Sequence, residues 1–145
     1  MAVLVDSNVL IFSIQQGHPW HEDSIKAMEF FLSAEETVCV FLQNIAEFWN
    51  VCTRPVDKNG LGLQVEETER RLAGLDSILT LLQDTPAVYP EWRKLLVQHD
   101  VKGTQVHDAR LVAGMNIHGI DRVLTYNPAD FKRYAGITAV RPGSL

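Results

Sequence analysis

Several oxygen-bearing side chains lie where strands are predicted to end or helices to begin. Asp6 directly follows a short apolar run, and Glu47 falls in the first turn of the helix expected after a second apolar run. Asp108 opens a later helix, and Asn127 and Asp130 follow the last strongly strand-like segment. Carboxylate and amide oxygens are the ligands that Mg²⁺ and Mn²⁺ prefer. The pattern therefore predicts a divalent metal site wherever these segments meet.

Carboxylates gathered at one place need a compensating cation. Like charges raise one another's pKa values unless positive charge lies close to them. A bound divalent cation would also lower the pKa of a coordinated water and offset the charge that develops on a phosphate. The reaction that this cluster predicts is metal-dependent phosphodiester hydrolysis.

The segments that must position these side chains alternate between strand and helix. Residues 2–5 and 37–42 are apolar runs of strand length, and residues 21–34 between them place apolar side chains at helical spacing. Such alternation predicts a three-layer α/β/α fold with a parallel sheet of about five strands. Sites on such sheets lie at the carboxyl ends of the strands, where Asp6 and Glu47 fall.

The rest of the chain is predicted to be mostly helical. Capping residues, prolines and apolar periodicity set the expected boundaries. The predicted helices are residues 44–53, 65–83, 90–100 and 106–118, and the predicted strands are 87–89 and 121–126, followed by a short helix and strand within 128–140.

The composition is that of one ordinary globular domain, so residues 1–145 are expected to form a single unit. The net charge of −5 argues against a protein that merely coats nucleic acid, but less against a nuclease whose bound cations reverse the local charge. No apolar run approaches the roughly 20 residues that span a bilayer. Cys39 and Cys52 lie in apolar stretches without CxxC spacing, which predicts buried free thiols and a cytoplasmic protein.

Four motifs in this sequence resemble those of PIN-domain nucleases. They are DSNVLIF at Asp6, NIAEFWNV around Glu47, GTQVHDARLVA around Asp108, and VLTYNPADF near the C-terminal end. Each motif is weak alone, but together their order and spacing cover essentially the whole chain. The chain is most similar to the small stand-alone members, including VapC-type toxins of bacterial toxin-antitoxin pairs.

The resemblance implies an endoribonuclease that depends on Mg²⁺ or Mn²⁺, is usually selective for single-stranded RNA and is often a homodimer. Toxin members are inhibited by a cognate antitoxin protein. Asp6, Glu47 and Asp108 match the three acidic positions of the family. The fourth position is often Asp and is Asn127 here, whose amide oxygen can coordinate a metal but carries no charge. Asn8 and Thr125 match polar positions that often line such pockets.

Structural roles compete with catalysis at several positions. Asp6 fits a helix N-cap, and Asp108 in a first helical turn fits the positive end of the helix dipole. Glu47 stands three residues after Asn44, which is the spacing of a capping box. Asp130 fits the first turn of a short helix, and there the structural role is favoured over a water-mediated contact with metal.

Few basic residues are available to guide a nucleic-acid backbone. Most of the lysines and arginines are interpreted as ordinary solvated charges. Arg54 and Lys102 are the candidate RNA contacts, because their loops are expected to flank the acidic cluster.

Two other functions are weighed against the nuclease. A phosphatase of the haloacid dehalogenase kind is disfavoured, because Asn8 stands where such enzymes need a second Asp. The serious rival is a non-catalytic PIN fold that acts as a protein-interaction module. Asn127 and the acidic net charge are the features that favour it.

Overall fold

The computed structural model describes residues 1–145 and contains one sheet of five parallel strands. Their order across the sheet is β3-β2-β1-β4-β5, which confirms the predicted parallel sheet of about five strands. In chain order the strands are β1 (Ala2–Val5), β2 (Thr37–Phe41), β3 (Thr80–Leu82), β4 (Arg122–Leu124) and β5 (Thr138–Val140).

Six α-helices cover the two faces of this sheet. Successive side chains of a strand point to opposite faces, so Val3 and Val5 of β1 pack in one apolar cluster and Leu4 packs in the other. The first cluster takes its helical side chains from α1 to α4, and the second takes them from α5 and α6. The helices are α1 (Ser7–Ser13), α2 (His21–Ser33), α3 (Leu42–Thr53), α4 (Val65–Asp76), α5 (Val88–Gln98) and α6 (Val106–His118).

Close packing fixes α6 against the central strands. Gly114 lies over the Phe41 ring, and a Cβ at this position would stand 2.6 Å from Phe41 Cζ. Only glycine allows this approach without displacing the ring. Gly119 ends α6 in a left-handed conformation with φ of 71°, as the sequence predicts. The acidic first turn of α6 is therefore carried by a helix with a fixed position on the sheet.

Two boundary predictions are wrong. The helix predicted at residues 65–83 ends at Asp76, and Thr80–Leu82 form the edge strand β3 instead. A short apolar run is compatible with a strand and with a continuing helix, so hydrophobic periodicity could not distinguish the two structures here. Residues 87–89 are not a strand, because α5 begins at Val88 with Pro90 in its first turn, where a missing N–H costs nothing.

The two cysteines are buried and free, as the sequence predicts. Burial raises the pKa of the Cys52 thiol to about 11, so this group is an unreactive packing residue. None of the helices has both the length and the apolar character needed to cross a membrane.

Candidate metal centre

Asp6 is the most enclosed of the three predicted acidic metal ligands. It follows β1 directly, caps α1 and is only 7% exposed. Its Oδ1 accepts a hydrogen bond from the Ser7 backbone N–H at 2.8 Å, and its Oδ2 accepts one from Thr125 Oγ1 at 2.8 Å. Asp6 is therefore the N-cap of α1, which is the structural role that competes with catalysis at this position. Its other oxygen points across the sheet toward the end of β4.

Burial raises the pKa of Asp6 to about 6. The hydrogen bonds from Thr125 and Ser7 lower it, whereas the negative charges of Glu47 and Asp130 raise it further. A carboxylate whose ionised form is destabilised in this way gains from a nearby cation.

Asp108 is the third residue of α6 and is partly buried beside Asp6. Burial is the largest cause that raises its pKa to about 7, followed by the charges of Asp6, Asp130 and Glu47. The pKa values of Asp6 and Asp108 are thus both raised by acids that come from separate segments. The structure brings the ends of β1, β4, α3 and α6 together at the carboxyl edge of the sheet, as the sequence predicts.

Glu47 lies in the second turn of α3, not in the first turn as the sequence suggested, because the helix already begins at Leu42. The capping interpretation of Glu47 is also wrong. Asn44 is the residue that caps this helix, since its Oδ1 accepts the Phe41 N–H at 2.9 Å. Glu47 is thus left available for a role other than capping.

Two residues that sequence reasoning missed hold the Glu47 carboxylate. Ser7 Oγ donates to Glu47 Oε2 at 2.7 Å, and Gln43 Nε2 donates to Glu47 Oε1 at 3.2 Å. Gln43 Nε2 also donates to the backbone carbonyl of His107 at 2.9 Å, which ties α3 to the residue before Asp108. The spacing of four residues between Gln43 and Glu47 on one helix face was the available clue.

Asn8 and Thr125 both contact the Asp6 carboxylate. Asn8 Nδ2 lies 3.5 Å from both Asp6 Oδ2 and Thr125 Oγ1, and Asn8 Oδ1 accepts the Tyr126 N–H at 3.2 Å. Thr125 is fully buried. Together these two side chains fix the Asp6 carboxylate relative to the end of β4.

Asn127 and Asp130 lie at the border of the cluster. The Asn127 N–H donates to Thr125 Oγ1 at 3.0 Å, while its side chain is exposed and makes no hydrogen bond with the carboxylates. Asn127 precedes a short 3-10 helix, Pro128–Phe131, without a side-chain capping hydrogen bond. Asp130 in that helix is exposed but close enough for its charge to raise the pKa of Asp6 and of Asp108.

The two candidate RNA contacts do not join the cluster. Arg54 follows the last residue of α3, about 10 Å along the helix axis from Glu47, and its guanidinium donates to the Asn59 carbonyl. Lys102 Nζ pairs with Asp100 at 3.2 Å, and both side chains are highly exposed. Neither side chain contacts Asp6, Glu47 or Asp108.

The donor set has the chemistry of a site for a hard divalent cation, although it is not assembled into one. No group of three or more His, Cys, Asp or Glu side chains is arranged so that it could hold a metal ion as it stands. However, no salt bridge of the molecule includes Asp6, Glu47 or Asp108, so the negative charge of this edge has no basic partner. These carboxylates fit Mg²⁺ or Mn²⁺, and binding would have to draw them closer together.

Comparison with known proteins identifies a matching family model. The family model described as PIN domain matches residues 3–137. No curated protein sequence matches the chain significantly.

Several solved structures share the whole fold. VapBC2 from Rickettsia felis, bound to a DNA fragment from its promoter, has a TM-score of 0.74 at 14% identity, with 97% of this chain and 98% of that chain covered. A toxin-antitoxin complex from Klebsiella pneumoniae has a TM-score of 0.67 at 19% identity, with 97% of each chain covered. VapC20 from Mycobacterium tuberculosis, described as a Sarcin-Ricin loop cleaving toxin, has a TM-score of 0.66 at 16% identity, with 94% and 98% covered. At these identities the likeness establishes the fold.

Proposed function

Since this chain belongs to the PIN-domain family, we propose that it is a divalent-metal-dependent endoribonuclease that hydrolyses phosphodiester bonds of single-stranded or structured RNA. In this proposal residues 1–145 form one nuclease domain, and the ion is Mg²⁺ or Mn²⁺. Asp6, Glu47 and Asp108 hold the metal and carry the chemistry.

One observation carries the proposal: carboxylates from separate elements meet at the carboxyl edge, where their charges raise the pKa values of Asp6 and Asp108, and they have no basic partner. The pKa of Asp6 is raised to about 6 and that of Asp108 to about 7, and each is raised partly by the other acids of the cluster. An arrangement that only stabilised the fold would not concentrate unpaired negative charge at one partly buried place.

The roles of the individual residues follow from their contacts. When bound, the metal supplies an activated water and positive charge for the phosphate. Asp6 is held in a fixed orientation by Thr125 and by the Ser7 N–H, so it supplies the most rigid ligand. Glu47 is oriented by Ser7 and Gln43, and Asp108 is presented by the first turn of α6.

Asn127, Asp130, Asn8 and Thr125 complete the proposed site. The Asn127 side chain is exposed next to the cluster and can turn its amide oxygen toward a ligand or a substrate. Asp130 adds negative charge to the same edge. Asn8 and Thr125 act through Asp6 as positioning residues. Arg54 and Lys102 would meet RNA only outside the metal centre.

The structural neighbours guide the biological part of the proposal. They include proteins described as toxin-antitoxin complexes and one described as a Sarcin-Ricin loop cleaving toxin. We therefore propose that this chain is the toxin of a cytoplasmic toxin-antitoxin pair, that it forms a homodimer, and that a cognate antitoxin protein binds it. Co-expression with the neighbouring reading frame, followed by co-purification, tests the partner independently of catalysis.

A cleavage assay tests the activity. Purified protein is incubated with a pool of fluorescent RNA and DNA oligonucleotides in Mg²⁺, Mn²⁺ or EDTA, together with the variants Asp6→Asn and Asp57→Asn. Asp57 is an exposed acid in the loop after α3, so its variant controls for the loss of one charge. We expect metal-dependent RNA cleavage by the wild type and by Asp57→Asn, and none by Asp6→Asn. If Asp6→Asn still cleaved RNA, the assignment of Asp6 to the catalytic metal site would be wrong.

A non-catalytic PIN fold is the second candidate. It is favoured by the uncharged Asn127 and by the absence of an assembled metal-binding group. A protein of this kind would show no change in melting temperature with Mn²⁺, whereas the melting temperature of the nuclease rises with the logarithm of the free Mn²⁺ concentration once this exceeds the Kd. Thermal unfolding of wild type and Asp6→Asn across a Mn²⁺ titration separates the two functions.

A further inference from the structure

Three side chains outside the acidic cluster meet at the same edge of the sheet. They are Trp20, Tyr126 and Arg141, and we call them the Trp20 patch. Trp20 precedes α2, which begins at the carboxyl edge because it returns the chain to the start of β2. Tyr126 follows β4, and Arg141 follows β5. Each member of the patch thus comes from a segment that reaches the edge on which Asp6 lies.

The patch contains an aromatic surface that is open to solvent. The Trp20 indole stacks on the Tyr126 ring with centroids 4.6 Å apart and planes 7° apart. Tyr126 covers one face of the indole, and Phe12 and His18 pack edge-on against it with ring centroids 5.1 and 5.5 Å away. Trp20 nevertheless remains 37% exposed. The Tyr126 hydroxyl donates to the Trp20 carbonyl at 3.0 Å, so the backbone beneath the indole is held in place. The exposed ring is therefore preorganised.

Arg141 adds a positive charge to this surface. Its guanidinium carbon lies 5.0 Å from the Trp20 ring centroid and 5.2 Å from that of Tyr126. Its Nη1 donates to the Tyr126 carbonyl at 2.7 Å, and Arg141 takes part in none of the salt bridges of the molecule. An aromatic face for a base beside an arginine for a phosphate is the combination by which proteins bind single-stranded nucleic acid.

A short chain of contacts connects the patch to the acidic cluster. The Tyr126 N–H donates to Asn8 Oδ1 at 3.2 Å, and Asn8 Nδ2 lies 3.5 Å from Asp6 Oδ2. Two hydrogen-bonding steps therefore lead from Tyr126 to the proposed metal ligand. A strand whose phosphate lay at the carboxylates would bring a neighbouring nucleotide to the patch.

We propose that the Trp20 patch binds one nucleotide of a single-stranded RNA beside the cleaved phosphodiester, with Trp20 stacking on its base and Arg141 contacting its phosphate. This inference rests on the proposed nuclease function and adds a binding subsite for one nucleotide beside the cleaved bond. Bases within a duplex have both faces covered by their neighbours, so the contact requires an unpaired or splayed nucleotide. Because every base has an aromatic face, the patch favours single strands without selecting a sequence.

Binding measurements with abasic oligonucleotides test this contact. Each protein is titrated into labelled single-stranded RNA in a buffer that contains Ca²⁺ in place of Mg²⁺, and the affinity is measured by fluorescence anisotropy. Gels then check that the RNA strands are intact. The proteins are wild type, Trp20→Ala, Trp20→Phe and Phe30→Ala. Phe30 is a matched control, since it is 52% exposed near the opposite end of α2. A second set of strands carries one abasic position moved step by step along the sequence.

We expect Trp20→Ala to weaken binding about tenfold, which is the scale of one stacked base, while Trp20→Phe retains most of the affinity and Phe30→Ala all of it. Removal of the base at one position should eliminate the difference between wild type and Trp20→Ala. A purely structural Trp20 would lower affinity equally for every strand, and that result would overturn the proposal. So would an unchanged affinity, or no binding of single-stranded RNA by the wild type. The cleavage assay decides the nuclease function separately.

Discussion

Thr125 Oγ1 donates a 2.8 Å hydrogen bond to Asp6 Oδ2, and this contact joins the ends of the neighbouring strands β1 and β4. Both groups are buried, so the bond is shielded from water and fixes the direction of the carboxylate. The same hydroxyl accepts the Asn127 N–H, which places the following loop relative to Asp6. A proposed metal ligand is thus oriented by a residue 119 positions away in the chain.

We predict that Thr125→Val lowers the stability of the protein and weakens its affinity for Mn²⁺. The substitution leaves Asp6 Oδ2 without its short hydrogen bond, and an unsatisfied buried group of this kind costs about 1 to 3 kcal/mol. Loss of the bond also raises the pKa of Asp6, because the Thr125 hydroxyl lowers it at present. Urea unfolding and Mn²⁺ calorimetry measure the two effects. Thr125→Ser keeps the hydroxyl and should behave like the wild type; equal losses in both variants would refute the role.

Ser7→Ala is expected to weaken metal binding by roughly fivefold, the effect of losing about 1 kcal/mol of hydrogen bonding to Glu47. Ser13→Ala is the matched control. Ser13 is equally buried in the same helix, but its hydroxyl donates to the Leu10 carbonyl and does not touch the cluster. Both variants should lose stability, and only Ser7→Ala should lose metal affinity. If Ser7→Ala and Ser13→Ala bound Mn²⁺ with the same affinity, the Ser7 hydroxyl would not orient Glu47 for metal binding.

Asp108 is expected to make the metal-free protein less stable as the pH rises from about 4 to 8. Its folded pKa of about 7 lies above its ordinary value of 3.8, so the fold favours the protonated form. The contribution is fully present below pH 4 and is lost as the pH passes through 7. Because Asp108 is only partly buried, solvent screening reduces the effect to about 1 to 2 kcal/mol.

Asp108→Asn isolates this contribution. In EDTA the variant should be as stable as the wild type near pH 4 and more stable at pH 8, and added Mn²⁺ should stabilise only the wild type. Urea unfolding at a series of pH values supplies the comparison. If the difference between the two proteins did not change with pH, the pKa of Asp108 would not be raised in the folded protein.

Asn127→Asp should tighten Mn²⁺ binding and destabilise the metal-free protein, because it adds a further negative charge to an already repulsive edge. Asn59→Asp adds the same charge in a distant exposed loop and should change neither property appreciably. Calorimetric titration of both variants measures the affinities. Unchanged affinity in Asn127→Asp would place residue 127 outside the metal centre.

Asp6 and Asp108 could be placed at one edge from the sequence because each sits beside a clear boundary. A buried strand ends directly before Asp6, and glycine closes the α6 helix that Asp108 opens. In parallel α/β folds these boundaries determine which edge of the sheet a residue reaches. The order of strands and helices followed from the same alternation.

The contacts of Glu47 could not be predicted in this way. The Gln43 amide joins Glu47 to the carbonyl of His107, which lies 64 residues after Gln43, and only the meeting of the first turns of α3 and α6 at the carboxyl edge brings these groups together. The turn in which Glu47 lies was misjudged because β2 and α3 follow each other without an intervening loop. Strand β3 was missed because its three residues follow a helix closely and are too few to carry a periodicity of their own.

Mn²⁺ titration of wild type, Asp6→Asn, Glu47→Gln and Asp108→Asn, with Asp100→Asn as an exposed control, tests the central claim most directly. Each protein is first shown to be folded, and free Mn²⁺ is then followed by electron paramagnetic resonance. If the three carboxylates form one metal site, each of the three substitutions lowers the affinity at least tenfold and Asp100→Asn leaves it unchanged. Equal Mn²⁺ affinity in all five proteins, or no Mn²⁺ binding by the folded wild type, would contradict the claim that these carboxylates form a metal site.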